Sequence, residues 1–154
     1  MLASALVGAT AGARSMTPLA AVSLASAAGR LPEQEGRMKW LANPWVAAGT
    51  AALALGELYG DKMKSAPDRI VPAGLAARLA TGAIAGASLA RPEEKRTGAW
   101  AGATAAVLAS FPTWLARKQT MVKHGQTKTG LIEDALIVGA AALVVGLGAR
   151  ALSR

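Results

Sequence analysis

Cysteine is absent from the 154 residues. Disulfides and thiolate metal sites are therefore excluded, and the redox compartment is left undetermined. Histidine occurs once, as His124, in a polar stretch, and cannot build a metal site alone. There is no P-loop, dinucleotide fingerprint, nucleophile elbow or His/Glu metal motif. The sequence therefore predicts no cofactor, no metal and no catalytic residue. Residues 1–13 contain no Lys or Arg, so the positive segment of a cleavable signal peptide is missing. The first apolar block is expected to be retained.

Charged residues are few, 17% of the chain, against 53% hydrophobic. The apolar residues come in blocks instead of interleaving with polar ones at helical or strand period. The blocks cover approximately 2–28, 40–60, 71–90, 98–116 and 131–152. Each approaches or exceeds the roughly 20 residues that cross about 30 Å of hydrocarbon. The sequence thus predicts an all-α membrane protein of about five transmembrane helices, a single integral membrane domain over 1–154. Ala and Gly dominate the blocks, so each is a weaker signal than a Leu-rich or Phe-rich span. A buried five-helix soluble bundle is the alternative, and the lack of polar helix faces argues against it.

The net charge is +8. A nucleic-acid partner would need those charges on one surface. They are scattered over short loops beside the apolar blocks, which predicts contact with anionic lipid headgroups and no nucleic acid. Asn43-Pro44 reads as a helix cap and first helical residue. Trp40 and Trp45 at one end of the second block, and Tyr59 at the other, suit an aromatic belt. Residues 117–130 are expected to be the longest loop, with Thr129 capping the last helix and Glu133 and Asp134 in its first turn. Five spans put the N-terminus, loop 61–70 and loop 117–130 on one side. The basic residues then divide seven against eight, which sets no orientation.

Gly8-Ala9-Thr10-Ala11 is followed by Pro18, and Gly102-Ala103-Thr104-Ala105 by Pro112, at a constant offset of 94. Residues 49–56 resemble 139–146 at an offset of 90. Spans one and two thus map onto spans four and five, an inverted-topology repeat around an odd third span. Ala/Gly-rich helices also match by composition alone. Gly82 to Pro92 resembles Gly8 to Pro18 equally well at offset 74, but that alignment fails on extension.

Arg14 lies about halfway along the first block, where a guanidinium costs at least about 2.5–3.5 kcal/mol unless it faces a cavity or partner. Ser15 and Met16 follow it, then Thr17-Pro18, which reads as a helix start. The block is expected to break near residue 16 into two half-helices. A half-helix N-terminus beside a buried Arg favours an anion. Ser110, with Phe111, Pro112 and Thr113, is the repeat mate. The plain alternative is a proline kink with Arg14 reaching an interface. Arg78 sits inside the third block. Glu57 and Asp61 share one helix face at i, i+4. With Glu133 and Asp134 they form a cation or proton entry, or ion pairs with Arg14, Arg78 or Lys62, or plain helix-end charges. The pairs Gly8/Gly12, Gly56/Gly60, Gly82/Gly86 and Gly98/Gly102 predict close helix packing or self-association.

Arg14-Ser15-Met16-Thr17-Pro18-Leu19-Ala20, then Glu57-x-x-x-Asp61-Lys62 and Pro67-Asp68-Arg69, resembles the small bacterial membrane proteins grouped as domain-of-unknown-function family 4126. The resemblance covers most of the chain. It implies a bacterial inner-membrane, multi-pass protein and supplies no reaction.

The leading functional expectation is a small transporter or channel for a small polar or ionic solute, homo-oligomeric in the bilayer. Arg14, Ser15, Thr17 and Ser110 would form its site. Arg78 would lie near it, and Glu57 and Asp61 would couple or gate it. The alternative is a non-transporting subunit that packs through Gly/Ala faces. A lipid-modifying enzyme comes third, because no nucleophile–base pair is visible.

Overall fold

The first apolar block folds as two helices, α1 (Leu2–Ala13) and α2 (Met16–Ala27). The computed structural model describes residues 1–32, 36–62 and 70–153, and α1 ends in it at Arg14, whose backbone is extended (φ −140°, ψ 109°). Pro18 supplies a reason. A helix unbroken through it would lose the bond to the residue-14 carbonyl and clash there, whereas Pro is accommodated in a first turn. The expected break is thus present, at residues 14–15. The new helix begins at Met16, ahead of Thr17, and Ser15 makes no side-chain cap.

Four further helices follow: α3 (Pro44–Gly60), α4 (Pro72–Ser88), α5 (Lys95–His124) and α6 (Gln126–Leu152), with short 3-10 segments at Gly36–Ala42 and Pro92–Glu94. There is no strand among the described residues. Asn43 caps α3 as read, its Oδ1 accepting the Trp45 N–H at 2.8 Å.

Contacts fix the direction of each helix. Gly8 lies against Gly102, and Gly12 against Ala106 and Ala109, so α1 runs parallel to α5. Gly82 meets Gly102 and Ala106, and Gly86 meets Gly98, so α4 runs antiparallel to both. Gly148 of α6 faces Ala3 and Leu89, while Asp134 of α6 meets Arg14. Glu57, late in α3, meets Ser15 and Met16 at the start of α2. Helices α1 and α2 therefore form a hairpin with its tip at Arg14-Ser15. Val7 of α1 and Val22 of α2 share one buried cluster with Leu89, Val145 and Ala149. At 12 residues each, the hairpin arms are about 18 Å long.

Glycine makes the α1–α4–α5 packing possible. A Cβ on Gly102 would strike the Gly82 carbonyl, and one on Gly12 would lie 2.7 Å from the Ala106 carbonyl oxygen. Side chains larger than hydrogen would force these backbones apart. Gly49, Gly56 and Gly60 of α3 differ, with nothing within 4 Å of a Cβ placed there.

By length and composition α6 can cross a membrane, and no other helix among the described residues meets that measure. Several expectations are corrected. Residues 117–130 are not a loop: α5 continues to His124, and only Gly125 (φ 80°) separates it from α6. Thr129 is therefore inside α6 rather than its cap, and Glu133 and Asp134 lie beyond its first turn. Pro112 does not break α5, which continues through it. The helix has contacts on both sides of that proline, from Ala109 to Gly12 and from Arg117 to Glu133. The repeat predicted broken or kinked helices at Pro18 and Pro112; the first block is broken, and α5 runs through Pro112 as one helix. The hairpin also moves the N-terminus to the end that holds Gly148, opposite Asp61 and Arg117. Loop 61–70, apart from Asp61, Lys62 and Ile70, lies outside the described residues, as does Pro67-Asp68-Arg69.

Candidate functional site

The hairpin tip gathers the unusual charges. A helix C-terminus exposes carbonyls and carries partial negative charge; an N-terminus exposes N–H groups and is positive. Both ends meet at residues 13–16, where Ala13 and Arg14 are buried and Ser15 and Met16 half-buried, and each needs a partner.

Arg78 serves the first end. Its Nε donates to the Gly12 carbonyl at 3.1 Å, and Thr113 Oγ1 donates to the same oxygen at 3.3 Å. Glu57 serves the second. Its Oε1 accepts the Ser15 N–H at 2.8 Å and the Ser15 hydroxyl at 3.0 Å, and its Oε2 accepts the Met16 N–H at 2.8 Å. Three donors on one carboxylate make an anion cradle. At the broken helix it is the chain's own Glu57 that takes these donors.

Arg14 is fully buried. Its guanidinium contacts Asp61 through Nη1 and Asp134 through Nη2, and Glu133 Oε2 is 3.7 Å from Nη2. Two more cations share these acids. Lys62 Nζ donates to Asp134 Oδ2 at 2.5 Å and to the Leu58 carbonyl at 2.9 Å. Arg117 Nη1 meets Glu133 Oε2 at 2.8 Å and Asp61 Oδ2 at 3.3 Å, while its Nη2 donates to the Asp61 carbonyl at 2.6 Å. Gln126 donates to that carbonyl too, at 3.3 Å. Four cations (Arg14, Lys62, Arg78, Arg117) thus face four anions (Glu57, Asp61, Glu133, Asp134) around the tip. Net neutrality is what lets this much charge be buried, since an unpaired ion there costs several kcal/mol by order of magnitude.

Of the sequence-predicted residues, Arg14, Ser15, Glu57, Asp61 and Arg78 come together. Thr17 is close by, in the first turn of α2, buried, and its hydroxyl has no partner among the described residues. Ser110 does not join them: it is buried in α5 and donates to the Ala106 carbonyl of its own helix at 2.8 Å. Arg117 reads from the sequence only as a loop charge, Lys62 also as an ion-pair partner for the acids, and Glu133 and Asp134 also as plain helix-end charges. A signal for the first was present. Arg117 and Glu133 stand equally far either side of Gly125, so a tight helical hairpin at that glycine pairs them. Among the described residues no group of His, Cys, Asp or Glu is arranged to hold a metal ion.

The chain belongs to the family described as "Domain of unknown function (DUF4126)", whose model matches residues 1–153. No curated protein and no solved structure matches it.

Proposed function

We propose that the chain is a small multi-pass membrane carrier or channel for a small anionic solute, working at the tip of a re-entrant hairpin. Glu57 occupies the solute's place when the site is closed. The observation that carries this reading is the cradle: the Ser15 N–H, Ser15 hydroxyl and Met16 N–H converge on one carboxylate beside fully buried Arg14.

Membrane residence is supported by α6, of whose most apolar stretch only 22% is buried in the bundle. A soluble core helix would bury far more of it. Leu136, Leu143 and Leu147 point outward on α6, as do Trp100 on α5 and Trp45 and Tyr59 near the two ends of α3. Large exposed apolar faces of this kind suit lipid. The hairpin arms are too short to cross about 30 Å of hydrocarbon. Non-helical backbone at such depth is tolerated where protein surrounds it, as the buried ion pairs do here. We read α3, α4, α5 and α6 as crossings and α1–α2 as re-entrant, in the bacterial inner membrane that the family resemblance implies.

The shared acids give the site a way to change state. Arg14 faces three carboxylates and Asp61 faces two guanidiniums, so either can trade partners without leaving a bare charge. An incoming anion that displaces Glu57 would take over its three donors. The test is flux in liposomes carrying the full chain, loaded with chloride, phosphate or acetate. Wild-type flux of one of these is expected, abolished by Arg14→Met and made insensitive to gating by Glu57→Ala. No flux of any of them, or flux indifferent to both substitutions, would overturn the reading.

A second reading, a packing subunit of a larger complex or homo-oligomer, is favoured by the open face of α3 at Gly49, Gly56 and Gly60. Co-purification with one stoichiometric partner and no flux would decide for it.

A further inference from the structure

Next to the ion network, α2, α3 and α6 line a cavity of about 670 Å³. Small side chains create it. Ala21 and Ala25 of α2, Ala51 and Ala54 of α3, and Ala141 and Ala142 of α6 line it and are too short to meet across the seam. The cavity follows α2 along its whole length, from Thr17 at the buried end to Arg30 at the outer end. Its walls are apolar apart from those two residues.

We propose that this furrow holds one acyl chain of an anionic phospholipid, with the lipid phosphate at Arg30. Three observations converge. Its volume falls among ligand pockets of about 300–1,000 Å³. Its length is that of α2 from Thr17 to Ala28, about 16 Å at helical rise. That is about half of the roughly 30 Å hydrocarbon core, the depth of one leaflet. And the charged side chain among the lining residues is Arg30, at the end away from the hairpin tip. The turn that closes α2 puts it there: Gly29 takes the left-handed conformation (φ 65°), and the Arg30 N–H bonds back to the Ala25 carbonyl at 2.9 Å. Arg30 is exposed and, among the described residues, has no carboxylate partner. A guanidinium offers a planar fork that matches a phosphate. The chain would lie beside the hairpin, so its presence would hold α2 against α6.

The site rests on the membrane reading above, but not on transport. The test is native mass spectrometry of the full chain, purified in detergent and given phosphatidylglycerol and phosphatidylcholine in equal amounts. Retention of one phosphatidylglycerol is expected. Arg30→Gln should lower that retention about tenfold, the lower end for a charged hydrogen bond. Arg30→Lys should keep most of it. Ala142→Leu should lower it by filling the furrow, and Lys128→Gln, at the far end, should not. Arg30 is on the surface, so Arg30→Gln is expected to keep the helix content, which circular dichroism checks. Equal retention of phosphatidylcholine, indifference to Arg30→Gln and Ala142→Leu together, or a second copy of the chain retained in place of lipid would each overturn the proposal. A chain that remains soluble without detergent would end the membrane reading itself, a different failure from a membrane-bound chain that keeps no lipid.

Discussion

Glu57 Oε2 accepts the Met16 N–H at 2.8 Å, joining the end of α3 to the start of a helix 41 residues earlier in the chain. The same carboxylate takes the Ser15 N–H and hydroxyl. Glu57 is therefore the N-cap that α2 lacks locally, supplied from another helix. Glu57→Ala should cost about 1 kcal/mol or somewhat more, since the donors it leaves unmet are half-buried. Glu57→Gln should fall between, since its amide keeps one acceptor and sets a donor against another donor. Thermal unfolding of the detergent-solubilised protein reads both. Equal melting temperatures for all three forms would mean that the tip is held by something else.

Arg14→Met should be more damaging. It leaves Asp61, Glu133 and Asp134 with one guanidinium fewer, and breaking a buried pair from one side costs about 3–5 kcal/mol. The compensating variant is informative. Arg14→Met combined with Asp134→Asn removes one charge of each sign, and should recover part of the loss. A double-mutant cycle on the unfolding free energies measures that coupling. Strict additivity would place the two residues in separate interactions.

The break at residues 14–15 and the assembly of Arg14, Glu57 and Asp61 were legible in the sequence because each violated a local rule. An arginine deep in an apolar block and a proline four residues on have few physical solutions. Asn43-Pro44 was legible for a similar reason. The hairpin was not. Nothing local distinguishes α1 and α2 as two arms turning back from two halves of one crossing; the difference lies in which helices they pack against. Residues 117–130 misled in the opposite way. They are polar enough to read as a loop, yet α5 and α6 extend beyond their apolar parts, with charges on the helix surface, and a single glycine makes the turn. Gly8 and Gly102, which the match of Gly8–Pro18 with Gly102–Pro112 sets in register, face each other where α1 and α5 touch and small residues are needed.

That contact makes a sharp contrast among glycines of identical sequence appearance. Gly102→Ala would push a methyl into the Gly82 carbonyl and to 3.0 Å from the Gly86 Cα, both backbone atoms that cannot swing aside. The loss should reach or exceed the roughly 1–3 kcal/mol typical of overpacking. Gly56→Ala meets nothing within 4 Å and should raise monomer stability by up to about 1 kcal/mol through helix propensity. The two belong to similar GxxxG pairs, so opposite signs in unfolding measurements would separate internal packing from an outward face. If Gly56→Ala also weakens self-association in crosslinking, α3 is the oligomer contact.

Gly125 tests how the charge network depends on the α5–α6 turn. Its backbone (φ 80°, ψ 163°) lies in a region open almost only to glycine, and no atom crowds it within 4 Å. Gly125→Ala therefore carries a backbone cost without a steric one, about 1–3 kcal/mol if the turn is kept. The chain can escape that cost by loosening the turn, and the register of α6 against α5 would then slip. Arg117 and Glu133, 2.8 Å apart, depend on that register directly, and Asp134 meets Arg14 from the next residue of α6. The expected outcome is a stability loss much smaller in an Arg117→Met background, because part of what the turn secures is that ion pair. Hydrogen exchange should show α5 and α6 loosening beyond Arg117 while α1 and α4 stay protected. A loss of equal size in both backgrounds would mean that the turn contributes only its own backbone energy.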